Sequence, residues 1–167
     1  GNSVTSIVPQ AFTYCDTLQS VTMSNNVTTI HDEAFKGCTA LQSITIPDSL
    51  TNILGSAFWG CSSLQSITIP DSVVSISPNV FFDCTSLRSL VIGNGATSMG
   101  NNAFKQCTAL VNLTLGNSLT EIGSGGFYGC SSLQYVSIPD NITTIEHDGF
   151  NGCTAMHTVI IGNGVTS

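Results

Sequence analysis

The sequence predicts a repeat solenoid, mainly β with short 3₁₀ or α turns, and three observations carry that expectation. Cys15, Cys38, Cys61, Cys84, Cys107, Cys130 and Cys153 follow one another at intervals of 23 residues. The same interval carries Phe12, Phe35, Phe58, Phe81, Phe104, Phe127 and Phe150, and a leucine column from Leu18 to Leu133 that ends in Met156. Within each interval a short stretch alternates polar and apolar residues, as in Ser43-Ile44-Thr45-Ile46. A fixed period of roughly 20 to 50 residues marks a solenoid, a propeller or another array of supersecondary units. Four strands of a propeller blade do not fit into 23 residues, so a solenoid remains. Seven such units nearly fill the chain. Residues 1–167 therefore read as one array of about seven 23-residue repeats, without linker, beginning and ending mid-repeat and lacking capping units.

The unit Ala34 to Ser56, AFKGCTALQSITIPDSLTNILGS, shows the elements in order. Ala34-Phe35-Lys36-Gly37 is too short for a stable helix and predicts one 3₁₀ or α turn, with Asp32, Asn101 or Ser124 placed to cap it in different units. Gly37, Gly60, Gly129 and Gly152 are expected to end that turn at positive φ. From Leu41 to Ile46 the period of two and the β-branched Ile44 and Ile46 predict a strand with one face buried. Pro47-Asp48 stops it, since proline donates no ladder bond and Asp or Asn tolerates a tight turn. That position is Asn25, Asp48, Asp71, Asn94, Asn117, Asp140 and Asn163 in successive units. A second extended piece follows, with Leu50 and Ile53 inward. No unit buries enough apolar surface to fold alone, so equivalent strands of adjacent units must pair in parallel, about 4.8 Å apart.

The pattern AFxGCxxLxSITIPDSVTSI, seen at residues 57 to 76 as AFWGCSSLQSITIPDSVVSI and again at 34 to 53, resembles the BspA-like, or Treponema-type, leucine-rich repeat. It departs where Val80, Gly126 and Gly149 replace alanine and where Gly-Asn replaces Pro-Asp at residues 93, 116 and 162. The resemblance covers all seven units. It implies a leucine-rich-repeat arc with a parallel sheet on its concave face, extracellular or at the cell surface, that acts in adhesion and protein binding.

Composition narrows the function independently. Three Lys and Arg against ten Asp and Glu give a net charge of −7, so neither nucleic acid nor an anionic lipid surface finds a basic footprint. No apolar run reaches the roughly eighteen residues of a membrane helix, and no membrane insertion is expected. The cysteine column predicts buried, reduced thiols used as small hydrophobes, because stacked side chains stand too far apart at Cβ for an easy disulfide. No C-x-x-C occurs and the three histidines share no column, so no metal or other cofactor is expected. His31-Asp32-Glu33 and Glu146-His147-Asp148 occupy equivalent turns, where acidic groups suit a helix start. No nucleophile and base fall together and no catalytic residue is assigned.

Recognition then falls to the surface. The outward strand positions are mostly Ser and Thr, and Arg88, Asn112, Tyr135, His157 and Ile160 break that monotony toward the C-terminal end, as a ligand-binding face for a protein or glycan would. A second column, directly after each core Phe, runs Thr13, Lys36, Trp59, Phe82, Lys105, Tyr128, Asn151. Lys36, Trp59, Phe82, Lys105 and Tyr128 would form an interaction stripe of interface-like composition. Asn26, Asn112 and Asn141 open N-x-S/T sequons, acceptors for N-linked glycan. The rival expectation is a structural array: residues 1–7 and 162–167 stop in one phase of the repeat, so copies could continue head to tail into a filament or coat. Regular Thr ladders also resemble ice-binding solenoids.

Overall fold

The computed structural model describes residues 3–166. Gly1, Asn2 and Ser167, which take part in the expected head-to-tail contact, lie outside them. Each 23-residue unit forms one coil, and successive coils stack through three ladders. The first ladder is made of β2 (Ser20–Thr22), β4 (Ser43–Thr45), β6 (Ser66–Ile69), β8 (Ser89–Ile92), β10 (Asn112–Thr114), β12 (Tyr135–Ile138) and β14 (Thr158–Ile161). The second is made of two-residue strands: β1 (Ser6–Ile7), β3 (Thr29–Ile30), β5 (Asn52–Ile53), β7 (Ser75–Ile76), β9 (Ser98–Met99), β11 (Glu121–Ile122) and β13 (Thr144–Ile145). All pairing is parallel and in the 23-residue register, so Ser66 faces Ser89 and Ile67 faces Leu90. The second ladder runs unbroken through β1-β3-β5-β7-β9, while the first divides into β2-β4, β6-β8-β10 and β12-β14.

The third ladder is the Ala-Phe turn, closed as expected by single i→i−3 bonds that never run on into a helix. Among the described residues there is no helix. The amides of Ala34, Lys36 and Cys38 donate within the coil to His31, Glu33 and Phe35, whereas those of Glu33, Phe35 and Gly37 donate to Gly55, Ala57 and Trp59 of the next coil. Every second amide is thus committed to a neighbour, which a helix cannot allow. Two left-handed residues per coil enforce the arrangement. Gly37, Gly60, Gly129 and Gly152 have φ of +69° to +78°, as expected, and Tyr14, Asp83 and Gln106 occupy the same column at φ 57° to 63°. Four residues earlier Gln10, Glu33, Ser56, Asn79, Asn102, Gly125 and Asp148 are also left-handed, at φ 56° to 62°.

The expected caps are corrected: the side chains bond a neighbouring coil. Asp32 Oδ1 accepts from Gly55 N at 3.1 Å and Asn101 Oδ1 from Ser124 N at 3.2 Å, while Ser124 Oγ donates to the His147 carbonyl at 3.0 Å. Each side chain serves the adjacent coil, because its own turn has no helix start to cap. The Asx column after the strands works alike: Asp71 Oδ1 accepts from Asn94 N at 2.6 Å and Asp140 Oδ1 from Asn163 N at 2.8 Å. Where glycine replaces proline before this column, the extra amide extends the ladder, as Gly93 N donates to Ile69 O at 2.9 Å. A Cβ at Gly93 would stand 2.7 Å from that same carbonyl oxygen, so only glycine uses the position this way.

The core lies between the ladders and is apolar throughout; among the described residues no polar or charged residue is buried. Phe35, Phe58, Phe81, Phe104 and Phe127 are fully enclosed. Rings of adjacent coils stack with centroids 5.1 to 5.5 Å apart and planes within 11°, an offset parallel geometry favoured by aromatic pairs. Leu41, Leu64, Leu87, Leu110 and Leu133 form a second fully buried column.

The thiols are free; five are buried, and Cys15 and Cys153 are half-buried. They do more than fill space. Cys61 Sγ donates to the Phe35 carbonyl of the preceding coil at 3.2 Å, and the bond recurs from Cys38 to Cys153 at 3.0 to 3.4 Å. That carbonyl already accepts Cys38 N, so the thiol fills its second lone pair.

Candidate functional site

The outer side of the first ladder carries the positions that the sequence singles out for ligand binding. Its outward strand positions carry no charge: Ser20 and Thr22, Ser43 and Thr45, Ser66 and Thr68, Ser89 and Val91, Asn112 and Thr114, Tyr135 and Ser137, Thr158 and Ile160. The inward partners Ile44, Ile67, Leu90 and Val136 are buried, which fixes the alternation and turns the other set to solvent. Arg88, Asn112, Tyr135, His157 and Ile160 are all exposed on this face, Tyr135 at 44% and Ile160 at 53%. Asn112 pairs with Ser89 across β10-β8 and Tyr135 with Thr158 across β12-β14. Arg88 and His157 sit one residue ahead of those strands, and His157 Nδ1 lies 3.0 Å from Thr158 Oγ1.

Pairing is interrupted between β10 and β12. A crevice of about 350 Å³ opens there, lined by Val111, Asn112, Leu113, Thr114, Gln134 and Tyr135. Asn112 and Tyr135 therefore belong to one opening. Arg88, His157 and Ile160 do not line it. Sequence reasoning missed Gln134 and Val111 and placed Leu113 in the core column. The signal was present: Gln19, Gln42, Gln65 and Gln134 share one column, broken by Arg88, Val111 and His157.

The stripe after each core Phe is a single interlocked row. Trp59 and Phe82 have ring centroids 5.0 Å apart, tilted by 57°. Lys36 Nζ lies 4.7 Å from the Trp59 ring, and Lys105 Nζ lies 5.8 Å from Phe82 and 4.7 Å from Tyr128. Cations thus sit over aromatic faces along five successive coils. All five side chains are half-buried. Lys36 also bonds Glu33 Oε1 at 2.9 Å, and Gln10 Nε2 holds Glu33 Oε2 at 3.0 Å. The Lys36 and Gln10 bonds hold the Glu33 carboxyl below its usual range, and the Glu33 bond raises Lys36. A cleft of about 490 Å³ beside the stripe is lined by Tyr14, Asp16, Lys36, Trp59 and Asp83, among others.

With these faces described, similarity to known proteins can be placed on them. The model of the BspA type leucine rich repeat region matches in six copies, over residues 5–107 and 75–167. The chain belongs to the BspA-type leucine-rich repeat family. Among curated proteins no relative matches. The solved structure of a leucine-rich repeat protein from Eubacterium ventriosum is 29% identical and superposes with a TM-score of 0.87, covering 91% of this chain and 41% of that one. The leucine rich repeat protein of T. pallidum is also 29% identical, with a TM-score of 0.65, covering 94% of this chain and 63% of that one. A leucine rich cell surface protein from Faecalibacterium prausnitzii shares the fold at 20% identity and a TM-score of 0.58, covering 96% of this chain and 77% of that one. The chain thus spans less than two thirds of the length of the first and second of these proteins.

The remaining expectations of this BspA-type chain fall on its edges. Asn26, Asn112 and Asn141 are exposed, with Asn112 inside the crevice just described. In the acidic turns Glu33 is held by Lys36 and Gln10, and Asp148 by Asn151 Nδ2 at 2.7 Å and His147 Nδ1 at 3.0 Å. Among the described residues no group of three or more His, Cys, Asp or Glu side chains converges as metal ligands would.

Proposed function

We propose that this BspA-type array is a non-enzymatic binding and adhesion module, extracellular or at the cell surface, that presents its first strand ladder to a protein or glycan ligand. One observation carries the reading: a ladder of outward strand positions that carry no charge and are mostly hydroxyls, nearly all exposed, is backed by an apolar core along β4 to β12. A preorganised surface loses little entropy on binding. Membership of the leucine-rich repeat family supports it, as does a structural neighbour described as a cell surface protein.

Beads coated with the chain should adhere to a desialylated mucin film or to a matrix-protein film. Placing lysine at Thr68 and Thr114 of the face should abolish that adhesion, while lysine at Thr51 on another side of the coil should not. Beads that hold to neither film, or that ignore the Thr68 and Thr114 changes, would overturn the proposal.

A further inference from the structure

Resting on that reading, we infer that the crevice between β10 and β12 is a glycan subsite that takes a neutral pyranose unit. Where parallel strands pair they stand about 4.8 Å apart and leave no room for a ligand. Pairing lapses here as it does between β4 and β6, but here an opening of about 350 Å³ lies beside the lapse, within the roughly 300 to 1,000 Å³ of small-molecule sites. The lining has the composition a sugar ring requires. Tyr135, 44% exposed, stands in a column otherwise filled by Ser20, Ser43, Ser66, Ser89, Asn112 and Thr158. Its ring offers an apolar face to the C–H side of a pyranose while its hydroxyl stays wet. Leu113 is half-buried here, whereas its column mates Leu90 and Val136 are 0% and 1% exposed, so it adds an apolar floor.

Hydrogen bonding comes from groups that both donate and accept. The amides of Asn112 and Gln134 and the hydroxyl of Thr114 match sugar hydroxyls, which likewise do both. None of the six lining residues is ionisable at neutral pH, so a charged ligand would lose hydration without gaining a counter-charge. That favours a neutral glycan over a charged peptide or an acidic sugar.

Three surfaces and one substitution test the assignment: desialylated mucin, the same film after periodate cleavage of its vicinal diols, an unglycosylated gelatin film, and Tyr135→Thr. Thr158 already occupies this column, so Tyr135→Thr should fold, as circular dichroism would verify. The native chain should bind desialylated mucin and lose the signal after periodate. Tyr135→Thr should weaken mucin binding at least tenfold, and Thr51→Ala, on another side of the coil, should stay within twofold of native. Binding that survives periodate, or binding to gelatin alone, would overturn the subsite and leave the binding-module reading standing. Periodate-sensitive binding unchanged in Tyr135→Thr would place the sugar elsewhere and also overturn it. No binding to any film would remove both.

Discussion

Gly60 and Gly37 occupy the same left-handed column, yet alanine should cost more at one than at the other. A Cβ at Gly60 would meet nothing nearer than Gly37 Cα at 3.8 Å, so Gly60→Ala isolates the backbone term. The left-handed penalty of about 1 to 2 kcal/mol is offset by about 0.4 to 1 kcal/mol of lost unfolded-state entropy, leaving a destabilisation of roughly 1 kcal/mol. A Cβ at Gly37 would in addition overlap the Tyr14 ring. Tyr14 is 66% exposed and can turn aside, at an off-rotamer cost of about 0.5 to 1.5 kcal/mol. Gly37→Ala should therefore lose roughly 1.5 to 2.5 kcal/mol, and the excess over Gly60→Ala should vanish in a Tyr14→Gly background. Urea unfolding followed by fluorescence of Trp59, the only tryptophan, reads all of these variants. A neutral Gly60→Ala would refute the left-handed argument, and an excess at Gly37 that survives Tyr14→Gly would refute the steric one.

Other consequences can be measured on the same protein. Phe81→Ala, which empties a fully buried site between Phe58 and Phe104, should cost about 3 to 5 kcal/mol in calorimetry. Asp71→Ala removes the acceptor for Asn94 N and should cost about 1 kcal/mol, while Asp71→Asn keeps an acceptor oxygen and should recover most of it. Burial pushes the thiols of Cys38 and Cys153 up to about 11. The unfolded chain then gives up protons that the folded chain retains, so stability should hold below the ordinary thiol value and fall as pH rises from it through about 11; a stability profile flat to pH 11 would contradict this. A thiol reagent should label native protein slowly and reach seven groups per chain after unfolding.

The register was legible to the residue, because every coil repeats its buried Phe, Cys, Leu and Ile at one interval, and a slip of one position would turn the whole set outward. The cation and aromatic row was legible for the same reason, since Lys36, Trp59, Phe82, Lys105 and Tyr128 lie 23 residues apart. The bonding of the turn to its neighbours was not. Ala-Phe-Lys-Gly reads locally as one isolated turn, and what ties it into a ladder is a set of bonds to residues 22 positions away. The left-handed column that begins with Gln10, Glu33, Ser56 and Asn79 leaves a faint trace, because several polar residue types tolerate the conformation once neighbouring coils impose it. Tyr135 stood out as a departure from Ser and Thr, but the crevice beside it is lined from two successive coils, at a place where their strands do not pair, which no single unit encodes.

The third ladder also decides how the molecule bears load. All the bonds that join one coil to the next point along the stacking direction, in the strands and in the turns alike. Tension applied between the chain ends therefore reaches these bonds in series, and the outermost coil carries it first. Such an array peels rather than shears. Each coil released would pay out 23 residues, about 70 Å of slack once its own stacking height is subtracted, while the coils behind it keep their cores and their outward face. A tether built this way yields stepwise under flow, lengthening at nearly constant force instead of detaching whole.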